Sequence, residues 1–175
     1  ALPLAQDIER RASGLTIRRQ PCNKLETELL SRCAQALLMT SDPNSRLIEH
    51  YLRVAAEGGQ SRAQLAYGLW IARMDENGLR LSNVTGVAHY KKAIRWLTIA
   101  AEQGEEKASF ALSRVFLKPE FSRRSVAEAR RYLEMAASGG HMRSQLEMGL
   151  IAWRQRRIDP RTDIRAVYWL LKAAA

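Results

Sequence analysis

The chain has 175 residues, 46% of them hydrophobic, enough for one or two domains with a buried core. Its longest apolar runs fall well short of the roughly 20 residues a membrane-spanning helix needs, so no membrane span is expected. Lys and Arg number 28 against 18 Asp and Glu, a formal net charge of +10. A GC-rich genome would account for an excess of arginine over lysine but not for the positive sign. That sign favours an acidic protein, a nucleic acid or an anionic surface as partner.

The first residues, ALPLAQDIERR, lack a basic start followed by an apolar core, so no signal peptide is read in them. They fit the start of a mature exported chain or the trimmed edge of a longer one. Helices are expected over Leu4 to Ala12 and over Asn23 to Met39, separated by GLTIRRQP with its Gly14 and Pro21. Cys22 and Cys33 are the only cysteines, a pair compatible with a disulfide in an oxidising compartment. Asn23 with Glu26 reads as a capping box, which carries Cys33 roughly 15 Å along a helix from its start. A disulfide tolerates Cα atoms only about 7 Å apart. The bridge therefore needs a later helix start or a fold-back of Gln20 to Lys24, and two buried thiols is the alternative.

From Tyr51 onward the chain repeats itself. YLRVAAEGG at Tyr51, WLTIAAEQG at Trp96, YLEMAASGG at Tyr132 and WLLKAAA at Trp169 stand 45, 36 and 37 residues apart. Between them recurs a second unit, AQLAYGLWI from Ala63, ASFALSRVF from Ala108 and SQLEMGLIA from Ser144, shifted by the same 45 and 36. The period is thus about 36 with one insertion, which marks a stacked-repeat architecture. Leu47, Ile48, Tyr51, Leu52, Ala55 and Ala56 form an apolar stripe at helical spacing, and Ala63, Tyr67, Trp70 and Ile71 form another. Gly58-Gly59, Gly104 and Gly139-Gly140 follow the alanine-rich helices, where a left-handed terminating residue is wanted. Small residues at Gly68, Ser113 and Gly149 let helix axes come close. Each repeat is accordingly an antiparallel helix pair, and the expected fold is all-α.

The pattern aromatic-Leu-x-x-Ala-Ala-Glu-x-Gly, then Ala-Gln-x-x-aromatic/Leu-Gly, resembles the Sel1-like repeat, a relative of the tetratricopeptide repeat, from about residue 43 to 175. The resemblance implies a right-handed α-solenoid of three to four repeats, the last cut short, with residues 1–42 as an N-terminal helical extension that caps the first repeat. The chain departs from the family in the loop inside each pair. Asn77 to Gly86 is the insertion, KPEFSRR from Lys118 has no glycine, and only IDPRTD from Ile158 keeps the proline and Asp. The array also ends without a cap, so Tyr168, Trp169 and Leu170 are expected to face solvent. That end either continues in the natural protein or buries itself against another molecule, self-association included.

No catalytic or metal signature is visible. His50, His89 and His141 are scattered, and there is no HExxH, paired CxxC, GxSxG or phosphate-cradling loop. His50 reads as a helix-surface residue and GGHMR around His141 as the turn that opens the next helix. No enzyme and no cofactor is expected. Charges do keep a register. Arg62, Lys107 and Arg143 precede the small residue of each second-type helix, and Arg73, Lys118 and Arg154 stand ten residues after it. Arg95 and Arg131 form a shorter row. Stacking would turn these into cationic ladders, rungs on the order of 10 Å apart, against the ordinary explanation that solvent-facing helix positions are often basic. Between the ladders, Ala66, Leu69, Ala111, Arg114, Glu147 and Leu150 are candidate groove residues, shallow and mixed as for a peptide.

The expected function is a non-enzymatic scaffold or adaptor that binds an acidic protein or peptide. The family resemblance implies bacterial adaptors of envelope complexes, hence a periplasmic or secreted location, with the cytoplasm as alternative. A basic nucleic-acid-binding solenoid is a second reading, weakened because Tyr51, Trp96, Tyr132 and Trp169 hold core positions and cannot stack on bases. A cell-envelope enzyme or cell-wall ligand binder is a third, by analogy alone.

Overall fold

An apolar stripe at helical spacing cannot be covered by the helix that carries it, so each helix here must find a neighbour. The computed structural model describes residues 24–38, 45–75, 87–118, 124–155 and 161–175. They form eight helices: α1 (Lys24–Leu38), α2 (Ser45–Glu57), α3 (Ser61–Ala72), α4 (Val87–Glu102), α5 (Glu106–Phe116), α6 (Arg124–Ser138), α7 (Met142–Gln155) and α8 (Thr162–Ala174). Each helix packs on the next, and α1 also touches α3 and α3 touches α5. The odd helices therefore crowd along one side, here called the inner face, and the even helices line the other. The result is an all-α solenoid of helix pairs.

The turns follow from glycine. Gly59, Gly104 and Gly140 have φ of 87°, 88° and 103°, the left-handed region that a Cβ disfavours. After α4 the amide of Gly104 donates to the Ala101 carbonyl (3.0 Å) and that of Glu105 to Ala100 (3.1 Å). After α6 the amides of Gly140 and His141 do the same to Ala137 and Ala136. These paired bonds close the last helical carbonyls and reverse the chain within three residues. Arg73 ends α3 in the same way, at φ 52° without being glycine, its amide donating to Trp70 and that of Met74 to Leu69.

Small residues then set the spacing. A Cβ on Gly68 would lie 2.7 Å from Leu97 Cγ on α4, and one on Gly149 would lie 2.7 Å from Leu170 Cγ on α8. Ser113 holds the equivalent place on α5 and is buried, its hydroxyl donating back to the Phe110 carbonyl at 2.7 Å. The recurrent glutamine has a role as well. Gln64 and Gln145 donate from Nε2 to Ala56 and Ala137 carbonyls at 3.3 and 3.1 Å, tying α3 and α7 each to the alanine-rich helix before it.

α1 pairs with α2 as the other odd helices pair with the even ones. Leu30, Cys33 and Ala34 share a core with Ile48, Tyr51, Leu52, Ala55 and Ala56, and the Thr27 methyl sits where a Cβ on Gly58 would be. The expected helix over Asn23 to Met39 is thus observed as Lys24–Leu38. Cys33 is buried on it, whereas Cys22, the proposed helix Leu4 to Ala12 and the insertion Asn77 to Gly86 lie outside the described residues. One expectation is corrected. Of Tyr168, Trp169 and Leu170, only Tyr168 is exposed; Trp169 is buried in a core with Phe110, Leu133 and Met148, and Leu170 fills the space over Gly149.

Replacing Gly149 by Val drives a branched side chain into Leu170 and is expected to cost about 1–3 kcal/mol. Gly140→Ala meets nothing within 4 Å and is expected to cost about 1–2 kcal/mol from the backbone alone. Urea unfolding midpoints measure both, and an unchanged midpoint for Gly149→Val would contradict the close approach of α7 and α8.

Candidate functional site

The first basic row is a row in the backbone as well as in the sequence. Arg62, Lys107 and Arg143 are each the second residue of an odd helix, α3, α5 and α7. A cation in the first helical turn opposes the helix dipole, by about 0.3–1 kcal/mol at low ionic strength. The helix dipole therefore does not explain this row, although Arg143 also has Glu147 one turn along its own helix. Arg62 and Arg143 are exposed and Lys107 is half-buried.

The second row has a different physical basis. Arg73 lies just past α3 with its guanidinium 5.0 Å from the Trp70 ring, Lys118 lies past the end of α5, and Arg154 is in the last turn of α7. Cations at helix C-termini are favoured by the dipole, so helix stability suffices to explain these three. The shorter row separates from both: Arg95 and Arg131 are exposed on the even helices, and Arg131 is 3.6 Å from Glu128.

The residues between the rows divide. Leu69 is corrected from groove to core, being buried with Ala72, Met74 and Tyr90; Ala111 is buried too and Ala66 half-buried. Arg114 on α5 forms an ion pair with Glu147 on α7, and Arg143 approaches the same carboxylate at 3.6 Å. One carboxylate thus lies between two guanidiniums from neighbouring odd helices. Both guanidiniums also lie over the fully buried Phe110 ring, at 4.9 Å for Arg114 and 5.8 Å for Arg143. Leu150 is exposed.

His141, which the sequence showed only as part of a turn, completes this cluster. Its ring centroid is 4.5 Å from that of Phe110, and its Nδ1 accepts from the Ser144 hydroxyl at 2.8 Å and the Ser144 amide at 3.3 Å. An accepting Nδ1 carries no proton, so the neutral ring caps α7. Burial holds its pKa below the ordinary 6.5; Glu106 and Glu147 push the other way, and Lys107 and Arg143 push down. Among the described residues no group of His, Cys, Asp and Glu could hold a metal ion, and no helix is long and apolar enough to cross a membrane.

A family model described as Sel1 repeat matches residues 61–105, 107–141 and 145–175, more than half of the chain. The chain belongs to the Sel1 repeat family. No curated protein matches it. The Sel1 units run from an odd helix to the following even one, so α3–α4, α5–α6 and α7–α8 are the repeats, one helix out of phase with a count that opens on the aromatic. Sel1 repeats mediate protein–protein interaction, and the cluster around Phe110 lies where the second Sel1 unit meets the third.

Because the folded His141 takes its proton at lower pH than the unfolded one, its contribution is complete above pH 6.5 and is lost as pH falls below that value toward the folded pKa. Unfolding midpoints taken at about pH 7.5 and about pH 5.5 should show this loss. His141→Asn keeps a capping acceptor that does not titrate, and should reduce the difference between the two midpoints; an undiminished difference would assign the loss to other groups.

Proposed function

We propose that this Sel1 array is a non-catalytic scaffold that holds an acidic protein or peptide segment along the odd-helix face. The observation that carries the reading is the row Arg62, Lys107 and Arg143, placed in register at helix N-termini where it costs stability. A carboxylate meeting the row would also meet the positive end of each helix dipole, so the dipole that opposes the cations would assist the ligand. Spacing on the order of 10 Å between rungs exceeds the Debye length of about 8 Å at physiological salt. The rungs then repel one another little, while an extended acidic partner engages several at once. Phe110 and the Arg114–Glu147–Arg143 bridge keep the second and third rungs in fixed relation.

Self-association is supported by a separate observation. Leu65 and Leu69 of the first Sel1 unit and Phe110 of the second are buried, whereas the equivalent Leu146 and Leu150 of the third are 45% and 41% exposed, with Trp153 beside them at 47%. A second copy covering this face would bury what the following repeat buries in the earlier units.

Labelled poly-L-glutamate tests the first reading. At physiological salt, Arg62→Ala/Lys107→Ala/Arg143→Ala should weaken its binding by about tenfold or more, and Arg73→Ala/Lys118→Ala/Arg154→Ala by much less. Arg62→Glu should weaken binding yet raise the unfolding midpoint, since it reverses the dipole conflict. Equal losses for the two triple variants would remove the row from the function, and equal affinity for duplex DNA would assign it to unspecific charge. Sedimentation of the wild type and Leu150→Asp reads self-association: a dimer abolished by the substitution is expected, and a monomer at all concentrations refutes it.

A further inference from the structure

On the side of the even helices, α6, α7 and α8 enclose a groove of about 280 Å³. Met148, Ala152 and Trp169 form its floor, and Arg130, Arg165 and Tyr168 stand at its rim. Its origin is one register position. Ile71, Phe116 and Ala152 are equivalent in the three repeats. In the second unit the Phe116 ring lies flat on Tyr132, with centroids 5.7 Å apart and planes 5° from parallel. In the third unit Trp169 takes the place of Tyr132, but Ala152 supplies no ring. The groove is the space of an absent aromatic side chain. It is small for an independent ligand and suits a single side chain of a larger one.

The helix beside the groove is also unlike its counterparts. The outward positions of α2 are Arg46, Glu49, His50 and Arg53, those of α4 are Lys91, Ile94, Arg95 and Thr98, and those of α6 are Ala127, Arg130, Arg131 and Glu134. On α8 they are Ile164, Val167, Tyr168 and Leu171, all apolar or aromatic and 49–76% exposed. An apolar stripe where three earlier copies are mostly polar is not a consequence of stacking, which buries the opposite side of α8. Its spacing is that of a helix lying alongside, and Tyr168 belongs to both stripe and groove.

Charge chooses the occupant. Arg130 and Arg165 line the groove and form no ion pair among the described residues. Lys172 adds a third cation, its Nζ 5.0 Å from the Tyr168 ring, and Glu134 is the single acidic residue of the lining. A second copy would bring cation against cation. A membrane would meet the stripe but has no use for a recess one side chain wide. We propose that α8 and this groove seat an acidic amphipathic helix of a protein partner, which lays its apolar face on Ile164, Val167 and Leu171 and inserts one aromatic side chain over Ala152. The site is separate from the row on the odd helices and does not depend on it.

The probe is a labelled, glutamate-rich helical peptide with leucines on one face and a central Phe, titrated into the whole chain and followed by anisotropy. Exchange of its Phe for Ala should weaken binding by about tenfold or more, as for a buried aromatic anchor. Ala152→Phe, which restores the ring that Phe116 provides, should do the same, with the helical circular dichroism unchanged. Ile164→Asp and Leu171→Asp, at exposed positions, give the same reading should Ala152→Phe fail to fold. The Arg62, Lys107 and Arg143 triple alanine variant should keep the Phe dependence; if it abolishes binding while Ala152→Phe does not, the peptide sits on the odd-helix face and the groove is refuted. Equal binding of the Phe and Ala peptides refutes it as well. So does binding to phosphatidylserine vesicles that needs Ile164 and Leu171 but ignores Ala152→Phe.

Discussion

How near two helix axes can come governs this array. Gly68 against Leu97 and Gly149 against Leu170 leave no room for a Cβ, and the buried Ser113 occupies the same register between them. Approach at this distance lets the even helices place their leucines into the odd ones, and the glycines after α2, α4 and α6 return the chain before the next helix begins. Everything periodic in the molecule, including the basic row, inherits its spacing from that contact. Were the axes farther apart, Arg114 and Arg143 could not share Glu147 across neighbouring repeats.

The two basic rows show why a register of charge has to be weighed against the backbone beneath it. In sequence they are alike, three cations each at constant offsets. In the fold one row lies at helix N-termini and the other at C-termini, so the helix dipole opposes the first and favours the second. The favoured row is accounted for by stability, and the opposed one asks for another reason. The same logic separates His141 from His50: both are solitary in the sequence, but the turn after Gly140 puts the His141 ring against Phe110 and makes its unprotonated nitrogen the cap of α7.

Repeats also make exceptions readable. Ala152 is unremarkable as an alanine in a helix, and becomes informative beside Ile71 and Phe116, which fill the same place in the earlier units. The outward face of α8 is informative for the same reason, since three predecessors show what that face ordinarily carries. Both departures fall in the third unit and adjoin each other in space.

The helices and their turns were legible from the residues because they rest on local rules. Apolar spacing selects the helix, glycine alone enters the left-handed turn without strain, and small residues mark the close contacts. The copied aromatics and alanines revealed the stacking, since identical segments must bury identical faces. What the sequence could not decide was which side of each helix remained open, because that depends on the neighbour opposite. Leu69 and Leu150 share one register position, yet the first lies under the next repeat and the second is exposed. Trp169 reads as an end residue and is in fact enclosed by α6 and α7. The groove over Ala152 is likewise a property of three helices at once. Sequence determined the array and its period; tertiary contact decided which residues of that period are left to meet a partner, since burial depends on the whole neighbourhood and periodicity on the chain alone.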